Sequence, residues 1–430
     1  MIASAVGRAG RLERRDTPTL VVVEAQLTPE GILWPVVAAE LGLATVFLTN
    51  DLQRYEKLPR YADVFDRDDV LAMTADTNSR SAVVETVRSI SEFRDVRGIY
   101  TQCDYNLPLV AEAAGELGLP GLSPHAAALA RNKLLTREAC RDAGVPAPDF
   151  MQVISAEQAV AFAEKVGFPC VVKPMTESAS TDVALGRDPG EVARLFERIA
   201  AQRQDRRGQA RPSGALVEEY CPGYEVSVET FTVDGHITVL GVVDKSVSAH
   251  PYFAEIGQVF PSLLPDRVTA ELAGTAVAGL RAIGHHFGAA HTEVRMTGNG
   301  PRLIEINARL AGEDIPELVD AALGLATRRQ ALAMHVGQKP DLTISERRGA
   351  ATRKITFPVA GTIRRVDGLD AARSAPGVVE VVLMVGEGDS VAALVSNHEL
   401  YGQVRTEASS AGEALRLAEA AFNQISFLVD

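Results

Sequence analysis

The stretch His291-Thr-Glu-Val-Arg-Met-Thr-Gly-Asn-Gly-Pro-Arg-Leu-Ile-Glu-Ile-Asn-Ala-Arg309 decides the fold of this chain. Two runs of alternating apolar residues flank 297–301, whose composition favours a tight reversal, so the stretch predicts a β-hairpin. Side chains alternate between the two faces of a strand, so Glu293 and Glu305 each point to one defined face of the predicted hairpin. If those faces coincide, the two carboxylates are neighbours and repel each other unless a cation or a shared proton lies between them. The alternative is a half-buried hairpin whose acids face solvent.

The other polar residues of the hairpin extend this pattern. Asn307 and Arg309 share the face of Glu305, and His291 shares that of Glu293. Carboxylate and amide oxygens suit Mg²⁺, which proteins usually hold through one or two carboxylates together with substrate phosphates. The hairpin therefore predicts a magnesium site if its two faces meet.

The composition limits the function classes. A chain of 430 residues is long enough for two or three domains, and 46% hydrophobic with 23% charged residues is ordinary for a globular protein. The formal net charge of −13 argues against a general binder of nucleic acid or of anionic membranes, because both need a basic surface. A nucleotide needs only a few local cations and stays compatible with this charge.

The cysteines and the amino terminus indicate a reduced, cytoplasmic protein. Cys103, Cys140, Cys170 and Cys221 form no CxxC pair and are expected to be small core residues. Residues 1–17 are Arg-rich without an apolar run, which predicts a disordered tail rather than a signal peptide. We also expect no transmembrane segment.

Alternating strand and helix patterns between residues 18 and 122 predict a doubly wound parallel sheet with helices on both faces. Ligands of such sheets bind beyond the carboxyl ends of the strands. The loops Ala25–Gly31 and Cys103–Asn106 are therefore candidate substrate contacts, or else plain connections.

The middle of the chain predicts a second, α+β unit. Ser123 as N-cap and Pro124 at the first position predict a helix to about Ala143, with Lys133 in its middle. A short apolar strand ends at Lys173, and the polar loop 174–182 follows it. Backbone amides in such a loop can line a phosphate, although glycine would do so with less strain. Segment 204–213 is expected to be an exposed loop, and 246–264 a loop rich in aromatics and prolines.

Residues from about 350 onwards predict a smaller unit of short strands and one helix. This unit contains no cluster of acids or histidines, so we expect a scaffold that packs beside the second unit.

Taken in order, several motifs resemble those of the ATP-grasp enzymes: Lys133, Pro169-Cys-Val-Val-Lys-Pro174, Val217-Glu-Glu-Tyr-Cys-Pro-Gly-Tyr-Glu225, Glu293 and Glu305-Ile-Asn-Ala-Arg309. Ala290-His-Thr-Glu293 and Glu305–Gly312 resemble the L-amino-acid ligase (carboxylate–amine ligase) branch. The resemblance implies a fold of α/β and α+β class. It comprises an N-terminal doubly wound parallel-sheet domain (18–122), a two-lobed ATP-grasp domain (123–216 and 217–340) and a small α+β C-terminal domain (341–430).

The resemblance also implies roles for the matching positions. Arg309 and Lys173 are the implied catalytic residues, and ATP with Mg²⁺, or Mn²⁺ as the alternative metal, is the implied cofactor set. Nucleotide contacts are implied for Lys133, Lys173, Ser178, Ser180, Glu218, Glu219, Tyr220, Cys221 and Glu225. Among these, the two lysines match those that neutralise phosphate oxygens, Glu218 matches an adenine-side acid, the backbone of 219–221 matches the adenine-reading segment, and Glu225 matches the ribose-binding acid. Metal contacts are implied for Glu293, Glu305 and Asn307, and substrate contacts for Glu255, His291, Arg309, Gly312 and Glu313. Glu313 either favours a cationic or amino-bearing substrate or caps the next helix.

The implied activity is ATP-dependent joining of a carboxylate to an amine through an acyl phosphate, with release of ADP and phosphate. A carboxylase or formate-type enzyme shares the same ATP motifs and remains an alternative. A non-catalytic ATP-binding module is another, supported by the glycine-free loop Thr176–Asp182. The expected partners are small-molecule carboxylates and amines, without nucleic acid or membrane, and a homodimer is kept open.

Overall fold

The structure, a computed structural model, describes residues 17–28, 30–58 and 60–430, so the predicted tail lies almost wholly outside the described residues. The first unit is a parallel sheet in the order β3-β2-β1-β4. Its strands are β1 (Pro18–Val23), β2 (Ala44–Thr49), β3 (Val70–Thr74) and β4 (Asp95–Tyr100), and its helices are α1 (Trp34–Glu40), α2 (Gln53–Glu56), α3 (Tyr61–Phe65), α4 (Arg80–Ser91) and α5 (Leu107–Leu117). Leu20 and Val22 of β1 enter one hydrophobic cluster and Val21 and Val23 another, so both faces of the sheet are covered.

The helix predicted from Ser123 to Ala143 is interrupted. It forms two helices, α6 (Pro124–Arg131) and α7 (Lys133–Asp142). Asn132 causes the break, because its side chain accepts a hydrogen bond from Leu134 N and caps α7. Lys133 therefore lies at the first position of α7. Its backbone N–H has no acceptor within the helix and donates to Met175 O at 2.9 Å.

A four-stranded antiparallel sheet forms the next unit, in the order β5-β8-β6-β7. Its elements are β5 (Phe150–Val153), α8 (Ala156–Val166), β6 (Cys170–Lys173), β7 (Ala184–Gly186), α9 (Pro189–Ala200) and β8 (Ala215–Glu219). The prediction that 204–213 is an exposed loop is wrong at Arg207, which is buried. Its guanidinium donates to the Glu24 carboxylate at 3.0 Å and to the Ala25 carbonyl at 2.6 Å, so this segment packs against the end of β1.

An eight-stranded antiparallel sheet carries the hairpin and continues into the carboxy-terminal part, in the order β13-β12-β9-β10-β11-β14-β18-β16. These strands are β9 (Tyr224–Val233), β10 (His236–Val247), β11 (Glu255–Phe260), β12 (Gly288–Thr297), β13 (Gly300–Asn307), β14 (Gly349–Ile355), β16 (Val378–Leu383) and β18 (Gly402–Ala408). The loop predicted over 246–264 thus contains β11, which pairs with β10 and β14. Residues beyond 341 extend this sheet directly.

The remaining elements cover this sheet and complete the carboxy-terminal part. They are α10 (Asp266–Ala282), α11 (Ile315–Leu323), α12 (Thr327–His335), β15 (Gly361–Asp367), α13 (Leu369–Arg373), β17 (Ser390–Val391), α14 (Ala411–Phe422) and β19 (Ser426–Val429). Ala414 and Ala418 of α14 pack on Val259 of β11 and Ala351 of β14. All four cysteines are buried and carry free thiols, as predicted. Within the described part of the chain, no helix has the length and apolarity needed to cross a membrane.

Buried His285 makes stability depend on pH. Its side chain is 3% exposed, and burial lowers its pKa to about 3. The imidazole therefore stays neutral in the folded chain but takes up a proton below its usual pKa of about 6.5 in the unfolded chain. Its contribution to stability is present above about pH 6.5 and is lost as the pH falls toward the folded pKa.

We expect the free energy of unfolding of the wild type to fall more steeply between about pH 6.5 and 5 than that of His285→Gln, by up to about 1.4 kcal/mol per pH unit. Urea unfolding at a series of pH values measures both slopes. His236→Gln, at the exposed start of β10, is the matched control and should follow the wild type. Equal slopes for wild type and His285→Gln would contradict the prediction.

Candidate active site

A cavity of about 700 Å³ opens where the parallel sheet, both antiparallel sheets and the carboxy-terminal strands meet. Its volume lies within the range usual for small-molecule sites. Every residue predicted to form a site lines it: Lys133, Lys173, Ser178, Ser180, Glu218, Glu219, Tyr220, Cys221, Glu225, Glu255, His291, Glu293, Glu305, Asn307, Arg309, Gly312 and Glu313. Both candidate loops of the parallel sheet also reach it, through residues that include Gln26, Thr28 and Asp104.

The hairpin brings its two acids together as predicted. Strands β12 and β13 pair with Glu293 opposite Glu305 and His291 opposite Asn307. Both carboxylates face the cavity rather than open solvent, and each has a lysine partner. Lys245 Nζ lies 2.6 Å from Glu293, and Lys133 Nζ lies 3.1 Å from Glu305.

The donor set of the hairpin fits a magnesium ion shared with a substrate. Glu293 and Glu305 each use one carboxylate oxygen for the contacts just described, and the other oxygen has no hydrogen bond or ion pair within the described residues. The described residues hold no group of three or more His, Cys, Asp or Glu placed to bind a metal by themselves. Two carboxylates and the Asn307 amide therefore leave coordination positions for phosphate oxygens or water, as Mg²⁺ requires.

Lys245 is the centre of the charge network beneath the hairpin. Its ammonium lies within 3.2 Å of three carboxylates, those of Glu225, Glu255 and Glu293. Burial alone would lower its pKa, but the three carboxylates raise it well above the ordinary value. In return, Lys245 holds the pKa of Glu293 well below its usual range in spite of burial. Sequence reasoning missed this residue, although a lysine inside the apolar strand β10 was a visible signal.

The second predicted phosphate lysine is paired with an acid. Lys173 Nζ lies 2.6 Å from Glu218, and Arg137 Nε lies 2.7 Å from the other oxygen of the same carboxylate. Burial favours the neutral acid, but the two cations keep the pKa of Glu218 below its usual value. Glu218, the predicted adenine-side acid, thus also fixes Lys173 in the cavity wall. Arg137, in α7, was not predicted.

The predicted ribose acid Glu225 is held in place by an ion pair in which two N–H groups of Arg295 donate to one carboxylate oxygen, Oε2. Arg295 donates to it from Nε at 2.8 Å and from Nη2 at 2.6 Å. The same guanidinium lies over the rings of Tyr220 and Phe253, at 5.8 and 5.1 Å from their centroids. This side of the cavity therefore offers aromatic surface next to an oriented carboxylate.

The glycine-free loop adopts the backbone conformation that glycine would supply. Ala179, Ser180 and Asp182 have φ of 57°, 56° and 57°, in the left-handed region that costs about 1–2 kcal/mol per residue. Ser178 and Ser180, both predicted nucleotide contacts, line the cavity, and their hydroxyls donate to Asp104 at 2.7 Å and to Phe253 O at 3.1 Å.

The two acids of this loop are neutralised by neighbouring cations. Arg211 Nη1 lies 3.6 Å from Glu177 and 3.7 Å from Asp182. The negative charge that these two acids bring to the loop is therefore offset by a residue of the 204–213 segment.

Asp104 connects the parallel sheet to the predicted catalytic arginine. Arg309 Nη2 donates to Asp104 at 2.6 Å, and Arg309 Nη1 donates to Leu310 O at 2.7 Å. Burial would raise the pKa of Asp104, but the guanidinium lowers it to about 2. The guanidinium is thus held in one orientation at the cavity wall. The loop that contains Asp104 was a candidate substrate contact, but its pairing with Arg309 was not predicted, because the two residues are more than 200 positions apart.

The carboxy-terminal part contributes side chains to the cavity, so its prediction as a scaffold without a site is wrong. Lys354 Nζ lies 3.1 Å from Glu313 and 3.2 Å from Asp314. Asn397 donates to Glu313 at 3.2 Å. Glu313 therefore faces the cavity, and its negative charge is partly compensated by residues beyond 341.

Three protein-family models match successive parts of the chain. They are the ATP-grasp N-terminal domain over residues 37–121, the ATP-grasp domain over 166–317 and the L-amino acid ligase C-terminal domain 2 over 353–430. This chain belongs to the ATP-grasp superfamily, in its L-amino acid ligase branch. ATP-grasp proteins bind ATP, typically with Mg²⁺.

Similar proteins support this ATP-grasp assignment. An uncharacterised protein of Sinorhizobium fredii is 26% identical, covering 82% of this chain and 73% of its own. The L-arginine-specific L-amino acid ligase of Bacillus subtilis is 24% identical, covering 64% and 66%. Human carnosine synthase 1 matches at 27% identity, but the chain spans only 40% of its length.

A solved structure shows the fold. The crystal structure of an L-amino acid ligase from Bacillus licheniformis superposes with a TM-score of 0.79 over 97% of this chain and 100% of that one, at 23% identity. The predicted ATP-grasp fold is therefore confirmed.

Proposed function

We propose that this ATP-grasp protein is an ATP-dependent carboxylate–amine ligase that forms an amide bond between amino acids, or between an amino acid and another small carboxylate or amine. One observation carries the proposal. Glu293 and Glu305 lie opposite each other on a hairpin that faces a cavity also lined by Lys133, Lys173 and Arg309. Paired oxygen ligands with several cations are what a transferring phosphoryl group needs.

The nucleotide and the metal are assigned to one end of this cavity. In the proposal, Lys133 and Lys173 neutralise phosphate oxygens, since a compact ammonium is suited to that work. The backbone of 219–221 contacts the adenine edge beside the Tyr220 ring, and Glu225 accepts hydrogen bonds from the ribose. Glu293, Glu305 and Asn307 hold Mg²⁺, which supplies charge stabilisation on the phosphoryl oxygens when bound.

The proposed reaction has two steps. The substrate carboxylate attacks the γ-phosphorus of ATP, so that an acyl phosphate forms and ADP leaves. The amine then attacks the acyl carbon, phosphate leaves with the bonding electrons, and the nitrogen loses a proton to give the amide. Arg309 stabilises negative charge on the transferred group, held in orientation by Asp104. Glu255 and Glu313 are proposed to receive the substrate ammonium groups at the other end of the cavity.

The test is release of ADP and phosphate from MgATP against a panel of amino acids, singly and in pairs, with mass spectrometry of the products. A conjugate lighter than its two components by one water, formed only with both present, is the expected result. Turnover with bicarbonate or formate alone would instead identify a carboxylase or formate-type enzyme. Nucleotide binding without turnover under any condition would favour a non-catalytic module.

A further inference from the structure

A short turn of the carboxy-terminal part reaches across the cavity mouth. Asn397–Glu399 form one 3₁₀ turn, and Asn397 hydrogen-bonds to three separate segments. Its backbone N–H donates to Ala179 O at 3.2 Å, its Oδ1 accepts from Glu255 N at 2.8 Å, and its Nδ2 donates to Glu313 at 3.2 Å. One residue therefore joins the proposed phosphate loop to both proposed substrate segments.

The carboxamide suits this position. A backbone N–H can only donate and a carboxylate can only accept, so the two partners fix which side of the amide faces each of them. Aspartate would keep the acceptor for Glu255 N but would lose the donor to Glu313 and add a like charge beside it. Alanine would lose both contacts. Neither change touches the backbone bond to Ala179.

The turn that carries Asn397 is stabilised by its own hydrogen bonds. Ser396 and Glu399 form a capping box, in which the Glu399 carboxylate accepts from Ser396 N at 2.8 Å and the Ser396 hydroxyl accepts from His398 N at 3.2 Å. His398 Nε2 and the Thr181 hydroxyl share a further hydrogen bond of 3.1 Å. The turn thus makes two contacts with the phosphate loop.

These contacts support the left-handed backbone conformation of the loop. Residues in the left-handed region persist only where the surroundings hold them, and Ala179 and Ser180 are both in that region without being glycine. Asp104 and Phe253 O hold the loop from two sides, and the 396–399 turn holds it from a third. The turn is therefore a physical link between the loop and the other segments that it contacts.

We propose that Asn397 is a positioning residue that couples the phosphate loop to the substrate segments around Glu255 and Glu313. Nucleotide on the loop then orders the end of the cavity that receives the amine and the carboxylate. The inference rests on the proposed function, because it takes 176–182 as the nucleotide loop. Coupling of this kind would complete the substrate site only when ATP is in place and would keep water from the acyl phosphate.

The test is hydrogen–deuterium exchange of the full chain with Mg²⁺ and a non-hydrolysable ATP analogue. In the wild type, the analogue is expected to slow exchange in 176–182 and also in 252–258 and 311–316. In Asn397→Ala the slowing should persist in 176–182, be weakened in 252–258, which the loop also contacts through the Ser180–Phe253 hydrogen bond, and be lost in 311–316. In Asn397→Asp it should persist in 252–258 and be lost in 311–316. Asn423→Ala, at an exposed helix end in the same part of the chain, is the control.

The outcomes separate this inference from the function on which it rests. Binding of the analogue is measured independently by calorimetry, and no binding to the wild type overturns both. Binding with slowed exchange in 176–182 alone overturns the coupling and leaves the ligase proposal standing. Equal slowing of all three segments in wild type and Asn397→Ala also overturns it. A merely structural role predicts faster exchange with and without nucleotide, rather than loss of the nucleotide-dependent difference.

Discussion

Replacing Arg309 by alanine is expected to lower ATP-dependent product formation by about 10³-fold or more while nucleotide binding changes little. An arginine that stabilises a transferring phosphoryl group acts mainly in the transition state, and losses of this size follow its removal. Steady-state kinetics with the substrates found by the panel, together with calorimetric binding of the ATP analogue, measure the two quantities. Arg302→Ala, on the strand that leads to Arg309 but outside the cavity, is the matched control.

The Arg309→Ala variant also removes the ion pair between Arg309 and Asp104. Asp104 is 8% exposed, and Arg309→Ala leaves its carboxylate buried, with the Ser178 hydroxyl as its remaining hydrogen-bond partner among the described residues and Arg131 as the nearby positive charge. An unpaired buried charge destabilises a fold by about 3–5 kcal/mol, so the single variant combines two effects. The double variant Arg309→Ala with Asp104→Asn should regain stability and remain inactive. If it regains turnover as well, Arg309 supports only the fold and the assignment is wrong.

The parts of the site that could be predicted from the sequence are those fixed by local geometry or by motif order. The Glu293–Glu305 pair follows from strand alternation and a tight turn, both properties of a few adjacent residues. Motif order placed Lys133 and Lys173 in the cavity, although the local break at Asn132 was missed. Whether an asparagine caps a helix depends on which backbone amides lack hydrogen-bond partners, and the periodicity of apolar residues does not show this.

The parts that could not be predicted are the partners of the predicted residues. Asp104, Lys245 and Asn397 reach the cavity from three different sheets or turns, and the contacts Lys245–Glu293, Asn397–Glu255 and Asp104–Arg309 span 48, 142 and 205 residues. Which charged side chains pair with each other depends on how the units pack, and not on the spacing of the residues along the chain. The carboxy-terminal part illustrates this, because its polar residues are scattered in sequence and converge only when β14 and β18 extend the hairpin's sheet.

Replacing Lys245 by methionine is expected to have the largest effect on stability, lowering the free energy of unfolding by about 3–5 kcal/mol. Methionine matches the stem in length but leaves Glu225, Glu255 and Glu293 without their common cation. Arg295 still pairs with Glu225, so the loss falls mainly on the other two acids. Chemical denaturation at neutral pH measures the change, and Lys339→Met, at an exposed position, is the control.

The pH dependence of this loss distinguishes removal of a charge from removal of packing. Without the ammonium, buried carboxylates have raised pKa values in the folded chain and take up protons more readily than in the wild type. The variant therefore gains stability relative to the wild type as the pH falls, and the difference between them should shrink between about pH 7.5 and 5. A loss that stays constant over this range would mean that the lysine stem, and not its charge, supports the hairpin. Added Mg²⁺ should also restore part of the stability, because Glu293 is then free to bind a cation that binds only the folded chain.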